Sequence, residues 1–191
     1  MKTIKIVGIG IVLAIVMVFV VTEFISYDMS NRATSSETLQ PNGTIGGNAL
    51  VVYDSSITGN TKNVASIIAS ILPDYGYKVN LVDINSIKAT NTSGYNVIIV
   101  GGPLYEGNIS AAVKKYLETL KPAKDTRVGV FATGPYTTND VLIKKQVASI
   151  SENNTLQIKI VTVFFDGEGD SFGEGGDLKC AEFVDNLLNR I

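Results

Sequence analysis

The sequence predicts an α/β fold, in which a doubly wound sheet of parallel strands carries helices on both faces. Three short and nearly continuous apolar runs, at residues 49–53, 96–100 and 127–132, have the composition of strands that are buried on both sides. Apolar residues at the three- and four-residue spacing of helices lie between and after these runs. Strand and helix patterns therefore alternate along the chain, which is typical of this fold class.

Two further strand segments, residues 78–82 and 156–160, alternate apolar and polar side chains. Alternation indicates that one face of a strand is wetter than the other, which suits the edge of a sheet. We therefore expect five strands, with the three apolar ones in the centre and the two alternating ones outside. Right-handed crossovers then place a ligand crevice at the carboxyl ends of the strands.

Four amphipathic helices are expected between and after the strands, whereas residues 84–95 are too few and too polar for a long helix. The single cysteine belongs to the apolar stripe of the last helix, so we expect a buried, inert thiol. The apolar positions that define the four helices are Val64, Ile68 and Leu72; Val113, Leu117 and Leu120; Ile143, Val147 and Ile150; and Cys180, Val184, Leu187 and Ile191.

The N-terminal part of the chain has a different character. Residues 6–21 are uninterruptedly apolar, and the stretch 4–25 reaches the length of about 20 residues that a membrane-spanning helix needs. We predict an uncleaved signal-anchor over residues 1–27, a flexible polar tether over 28–47 and the domain over 48–191. A cleaved signal peptide is the main alternative, but its apolar region is roughly 7–15 residues long and no small-residue cleavage site follows here. A buried helix is the third interpretation.

The charges around this apolar run favour one orientation in the membrane. Lys2 and Lys5 precede the run, whereas Arg32 is the one basic residue that follows it closely, among several acidic residues. The positive-inside rule then leaves the N-terminus in the cytoplasm and places the domain on the outer face of the membrane.

Composition excludes several classes of function. The chain has 191 residues, of which 45% are hydrophobic and 18% charged, which excludes a disordered protein. It contains no histidine, which excludes Ser-His-Asp and Cys-His mechanisms, and one cysteine, which excludes an intrachain disulfide or a CxxC pair. A net charge of −2 without a basic run argues against a nucleic-acid partner. Any redox chemistry therefore needs a bound organic cofactor.

The loop after the first strand has the composition of a phosphate site. It reads Asp54-Ser-Ser-Ile-Thr-Gly-Asn-Thr61, with four hydroxyl side chains and a glycine directly before a helix. Backbone amides at a helix N-terminus bind anions. The loop lacks both the lysine of a nucleotide-triphosphatase P-loop and the GxGxxG pattern of dinucleotide folds. An ordinary capped strand-to-helix turn is the alternative.

Within this loop, Ser56-Ile-Thr-Gly-Asn-Thr61 resembles the [S/T]-x-T-G-x-T phosphate loop of flavodoxins at every fixed position. Residues 96–107 are similar to the third strand and flavin loop of that family, which carries a Gly-x-Pro-x-Tyr-x-Gly pattern. The resemblance covers residues 48–191. It implies a five-stranded sheet of order 2-1-3-4-5 and FMN as the cofactor.

The resemblance also implies which residues hold the flavin, and the sequence contains no tryptophan to stack on it. Tyr136 matches the stacking tyrosine of the family, and Gly107 or Gly102 is placed where a peptide reorients when the flavin takes up an electron. The phosphate would be held by Ser55, Ser56, Ile57, Thr58, Gly59, Asn60 and Thr61. The ring would lie between Pro103, Leu104, Tyr105, Glu106 and Gly107 on one side and Thr133, Gly134, Pro135 and Tyr136 on the other.

These observations favour a membrane-anchored FMN electron carrier that serves a redox partner protein or a membrane quinone. The alternative is an FMN-dependent oxidoreductase that acts on a quinone or a tetrapyrrole precursor of the protoporphyrinogen type. A binding module without flavin is a third hypothesis, which the intact phosphate loop disfavours. We expect no catalytic side chain, because the flavin loops contain no evident acid or base besides Glu106 and tyrosines. We expect no metal site either, because the acidic segment 166–177, which we interpret as a solvated glycine-rich loop, lacks the central glycine and the final glutamate of a calcium loop.

Overall fold

A mostly parallel sheet with helices on both faces forms the domain. The computed structural model describes residues 13–23, 36–135, 140–154, 156–165 and 174–189. The strands are β1 (Ser36–Leu39), β2 (Gly47–Tyr53), β3 (Tyr77–Asp83), β4 (Val97–Tyr105), β5 (Asn108–Ile109), β6 (Arg127–Gly134) and β7 (Ile158–Phe165). The helices are α1 (residues 13–23), α2 (Asn60–Ile71), α3 (Ala111–Thr119), α4 (Asp140–Asn154) and α5 (Glu174–Asn189), with 3-10 turns at Leu72–Tyr75 and Ile87–Thr90.

The strand order of the main sheet is β1-β3-β2-β4-β6-β7, and β5 pairs with β4 outside this path. The five strands β3, β2, β4, β6 and β7 are parallel to one another. In chain order of the five parallel strands this is 2-1-3-4-5, so the order that the family resemblance implied is confirmed. The central position of the three continuous apolar runs is confirmed as well. The carboxyl ends of β2, β4 and β6 consequently lie side by side. We call this side of the sheet, which is formed by strand ends and not by an outer strand, the carboxyl edge.

The predicted tether contains a strand. β1 pairs antiparallel with β3, with Ser36 opposite Val82 and Leu39 opposite Val79. Residues 36–39 are therefore part of the sheet rather than a flexible connection, and β3 is not the edge strand that its alternating pattern predicted. The sequence gives little sign of this strand because it is short and polar, and its pairing partner lies some forty residues further along the chain.

The last strand lies further along the chain than predicted. β7 spans Ile158–Phe165, whereas the alternating pattern predicted residues 156–160. Leu156 is buried before the strand begins, and its amide donates to the Ser151 carbonyl at the end of α4. Residues 161–165, which supply most of the pairing with β6, were not included in the prediction.

The two faces of the sheet bury separate clusters, because successive side chains of a strand point to opposite faces. Val51 of β2 packs on the side of α2 and α5, whereas Val52 packs on the side of α3 and α4. Cys180 has no exposed surface and lies in the first of these clusters, which confirms the expected buried thiol. The predicted apolar stripes of α2, α3, α4 and α5 face these clusters, except for Ile191, which lies outside the described residues.

Helix α1 lies within the predicted signal-anchor. Its large apolar side chains are between 52% and 73% exposed. In the part of the chain that the structure describes, no helix has the length and hydropathy of a membrane span. The rest of the predicted span, residues 4–12 and 24–25, lies outside the described residues.

Candidate functional site

The loop between β2 and α2 is a tight turn that ends at a glycine. Gly59 adopts a left-handed conformation, with φ of 79°, directly before the first residue of α2. Its amide donates to the Ser56 carbonyl over 3.1 Å, and the Thr61 amide donates to the Ser56 hydroxyl oxygen over 3.3 Å. A glycine adopts this conformation without a Cβ penalty, which explains its position in the motif.

The N-terminus of α2 has the features of an anion site. The N-cap residue Gly59 has no side chain to cap this helix, and the first turn of the helix holds no acidic residue. The first amides of a helix have no intrahelical partner, and the helix dipole is positive at this end. A Cβ built on Gly59 would meet no atom within 4 Å, so the space beside the turn is open. The side chain of Ile57 at the tip of the loop is 97% exposed.

The four hydroxyls of the loop have different partners. The Ser56 and Thr58 hydroxyls lie 3.3 Å from each other at the accessible side of the turn. The Ser55 hydroxyl donates instead to the Asp83 carboxylate over 2.9 Å, and the Thr61 hydroxyl shares a buried hydrogen bond of 2.7 Å with Thr133. Ser56 and Thr58 are thus the hydroxyl donors that a phosphate could use, whereas the hydroxyls of Ser55 and Thr61 bond to other side chains of the protein.

Asp83 contacts the loop between β2 and α2, although it was not predicted from the sequence. It ends β3, is 1% exposed and accepts hydrogen bonds from the Asn85 amide and side chain as well as from Ser55. A buried carboxylate needs such partners. Asp83 therefore fixes the start of the phosphate loop. The sequence signal for Asp83 is an aspartate at the end of a strand, followed two residues later by an asparagine that can donate to it.

Residues 103–107, which were predicted to line one side of the flavin ring, belong to a strand and a hairpin. Pro103 and Leu104 lie inside β4 and are buried, and the Leu104 side chain packs in a cluster with Ile143 of α4. A contact between Leu104 and a ring would therefore come from its backbone. Tyr105 ends the strand and is 50% exposed, which leaves its ring free to cover a flat ligand.

The hairpin between β4 and β5 has a two-residue turn. Tyr105 pairs with Asn108, and the residues between them, Glu106 and Gly107, have φ of 50° and 77°. Two positive φ values are the signature of the I′ turn, whose twist matches that of the flanking strands. Glu106 is the one described residue other than glycine with a positive φ. The turn is thus held in a conformation that glutamate rarely adopts.

Gln146 of α4 holds this hairpin and is a second residue that the sequence analysis missed. Its side-chain amide donates to the Gly107 carbonyl over 3.2 Å and to the Asn108 side chain over 2.9 Å. Its side-chain oxygen accepts from the Ile109 amide over 3.2 Å. No local sequence signal could have identified Gln146, because its partners lie almost forty residues away.

The segment predicted to line the other side of the ring begins with Thr133 at the end of β6. Thr133 pairs with Pro103 in the sheet, so this segment and the hairpin that follows β4 leave the sheet side by side. A Cβ on Gly134 would approach the Leu104 Cβ to 3.0 Å, which shows how closely the two strands' ends pack. Pro135 is exposed. Tyr136 lies outside the described residues, so its stacking role stays a prediction.

The acidic segment also lies largely outside the description. Residues 166–173 are not among the described residues, and α5 begins at Glu174. The last residues of the segment, which the sequence analysis treated as loop, are therefore helical.

Part of the chain is similar to known flavodoxins. A family model described as "Flavodoxin domain" matches residues 50–166. The chain is 26% identical over 91 residues to the probable flavodoxin 1 of Bacillus subtilis (strain 168), a match that covers 46% of this chain and 57% of that protein. The matched part is thus little more than half the length of this relative.

Solved structures share the fold. A flavodoxin from Streptococcus pneumonia TIGR4 is similar with a TM-score of 0.59 and 19% identity, over 75% of this chain and 99% of that one. Oxidised flavodoxin 2 from Bacillus cereus is similar with a TM-score of 0.55 and 20% identity, over 73% of this chain and 97% of that one. At these identities the likeness concerns the fold. Because the flavodoxin-domain model covers more than half of the chain, the protein belongs to the flavodoxin family, whose members bind FMN.

Proposed function

We propose that the protein is an FMN electron carrier, with the FMN phosphate at the N-terminus of α2 and the ring between the Tyr105 hairpin and the loop after β6. The observation that carries this proposal is the start of α2 behind the Gly59 turn, where the N-cap residue is a glycine and the first turn holds no acidic residue. Several converging neutral donors suffice for a phosphate, since the helix dipole adds a favourable field. Bound FMN would supply the electron chemistry, because it takes up and releases electrons singly or in pairs.

The residues of the chain bind and orient the cofactor in this proposal. The Ser56 and Thr58 hydroxyls and the loop amides hold the phosphate, and Tyr105 covers one face of the ring. The buried pair Thr61 and Thr133 joins the phosphate loop to the end of β6, so that the two ends of the flavin are held at a fixed separation. Tyr136 is proposed for the other face of the ring on the family resemblance.

The phosphate assignment is tested by comparing FMN with riboflavin on the full chain in detergent. Thr58→Ala should weaken FMN binding by about ten- to a hundredfold, because a hydrogen bond to a charged group contributes about 1.5–3 kcal/mol, and it should leave riboflavin binding unchanged. Thr119→Ala is the matched control, since the Thr119 hydroxyl bonds only to carbonyls of its own helix α3. Equal losses for both flavins would contradict the assignment, and so would tighter binding of FAD than of FMN.

The alternative, an FMN-dependent oxidoreductase on a quinone or tetrapyrrole precursor, is distinguished by turnover. An electron carrier depends on a redox partner, whereas an oxidoreductase turns over its substrate by itself. Reduction of a quinone by the purified FMN-loaded protein, at a rate that does not depend on a second protein, would favour the oxidoreductase.

We further propose that residues 1–27 anchor the protein in a membrane with the domain on the outer face. The apolar run 6–21, the exposed apolar side chains of α1 and the lysines before the run support this. Protease added to intact cells should digest the domain. Full protection in intact cells, with digestion only after lysis, would place the domain on the inner side.

A further inference from the structure

We propose that the carboxyl edge of the sheet, where the flavin site lies, faces the lipid surface. This inference rests on the proposed membrane anchor. It starts from the direction of β1. Because β1 is antiparallel to β3 and pairs Ser36 with Val82, the chain that comes from the apolar run enters the domain at the carboxyl end of β3. The phosphate loop begins at the carboxyl end of β2, the next strand in the sheet.

Side-chain contacts fix this point of entry. The Lys88 ammonium donates to the Ser36 hydroxyl over 2.7 Å, and the Thr38 hydroxyl donates to the Asn80 side chain over 2.8 Å. Lys88 lies in the 3-10 turn that follows β3. The start of β1 is thus attached to the carboxyl edge at both its backbone and its side chains.

The length of chain before Ser36 limits how far this edge can lie from the membrane. Residues 26–35, which are called the tether from here on, separate the predicted membrane span, residues 4–25, from β1. Any ten residues span at most about 35 Å when fully extended, and a flexible chain of ten residues has an average end-to-end distance of about 17 Å. The opposite edge of the sheet lies farther away by the length of β3, about 23 Å for a strand of this length. The tether therefore favours the carboxyl edge as the side nearer to lipid.

This edge also carries exposed apolar side chains. Ile57 is 97% exposed and Ile87 is 78% exposed, and they lie in the loops that follow β2 and β3. The bond between Ser55 and Asp83 joins these two loops. The carboxyl group of Asp83 is buried and is therefore not part of the exposed surface of these loops. Two exposed isoleucines beside the point of entry are suited to the boundary between headgroups and acyl chains.

The consequence concerns the redox partner. A flavin at a membrane-facing edge exchanges electrons with a partner in or on the bilayer, rather than with one that diffuses on the far side of the domain.

The orientation is tested with the full chain in vesicles of phosphatidylcholine and phosphatidylglycerol that contain nitroxide-labelled lipid. One fluorophore is attached at Ile87→Cys or, as the matched control, at Lys124→Cys, which lies in the exposed loop before β6 at the opposite edge. Cys180 is buried, and labelling of the parent chain checks that it does not react. We expect several-fold stronger quenching at position 87 than at position 124.

The outcomes separate the two proposals. Equal quenching, or stronger quenching at position 124, in chains that float with the vesicles would overturn the orientation while the anchor stands. Chains that do not float would overturn the anchor, and the orientation with it.

Two variants test the role of β1. Replacement of Ser36–Leu39 by Gly-Ser-Gly-Ser should reduce the difference between positions 87 and 124, with retained FMN binding as the check of folding. A long Gly-Ser insertion after residue 30 leaves β1 intact and should reduce quenching at position 87 as well. An undiminished difference in both variants would show that neither the strand nor the tether orients the domain.

Discussion

The hydroxyl groups of Thr61 and Thr133 lie 2.7 Å apart, and both residues are buried, at 0% and 3% exposure. Thr61 is the second residue of α2, and Thr133 is the last residue but one of β6. This single bond connects two segments that are 72 residues apart in the chain and that hold opposite ends of the flavin in the proposed site.

Thr133→Val should lower the free energy of unfolding by about 1–3 kcal/mol, because it leaves the buried Thr61 hydroxyl without its partner. The double variant with Thr61→Val should lose less than the sum of the two single variants. Urea denaturation of the four proteins gives the coupling energy. Strictly additive losses would mean that the two hydroxyls do not depend on each other.

Gln146→Leu should loosen the hairpin between β4 and β5 while it keeps the size of the side chain. The Ile109 amide loses its acceptor, and a bond of about 1 kcal/mol corresponds to roughly fivefold faster exchange of that amide with deuterium. The separation of the two one-electron potentials of bound FMN should change too, because the Gly107 carbonyl is released. Lys145→Leu, on the exposed side of α4, is the control. Unchanged exchange in Gln146→Leu would show that the hairpin holds itself.

Gly102→Ala should destabilise the domain by about 1–3 kcal/mol through overpacking. A Cβ at this position would lie 2.4 Å from the Val113 Cγ2 and 3.0 Å from the Ser110 Oγ, so α3 would have to move away from the sheet. Combination with Val113→Ala removes the closest atom, and the double variant should then lose less than the sum of the single changes. Thermal unfolding of all three variants measures this. If the double variant lost the full sum of the two single changes in stability, the contact with Val113 would not be the cause of the strain.

Tyr116 predicts a dependence of stability on alkaline pH. Burial, followed by the neighbouring Tyr95, raises the pKa of Tyr116 far above its ordinary value, and the hydroxyl donates to the Ala89 carbonyl over 2.7 Å. The folded state therefore favours the protonated phenol. This contribution is complete below about pH 10, where the unfolded chain titrates, and it is lost at up to about 1.4 kcal/mol per pH unit above it.

The measurement is urea denaturation between pH 9 and pH 11. Tyr116→Phe should be less stable at pH 9, because the Ala89 carbonyl loses its donor, but its stability should fall less steeply than that of the parent chain. The pKa of Tyr75 is raised as well, by burial and by Asp185, and this contribution is common to both proteins and cancels in the difference. If the stabilities of the two proteins fell equally with pH, Tyr116 would not be a cause of the loss of stability above pH 10.

Local patterns in the sequence were sufficient for the fold class and for the glycine turn between β2 and α2. The apolar runs at 49–53 and 96–100 are continuous because both faces of these strands are buried, and this places them in the centre of the sheet without any knowledge of their partners. The turn at Gly59 is equally local, because its φ of 79° is a property that glycine supplies at that position. The order of the five parallel strands came from the family resemblance together with these patterns.

Tertiary structure alone decided the features that depend on distant partners. Ser36–Leu39 is a strand because β3 offers it an open edge, and the sequence of four mostly polar residues does not reveal that edge. Ser55 and Ser56 are adjacent and chemically identical, yet one hydroxyl donates to Asp83 and the other faces the accessible side of the turn. Gln146 holds a hairpin with which it shares no local pattern. Hydrogen bonds of this kind join residues that only the packed sheet brings together, so sequence periodicity, which reports burial, carries no information about them.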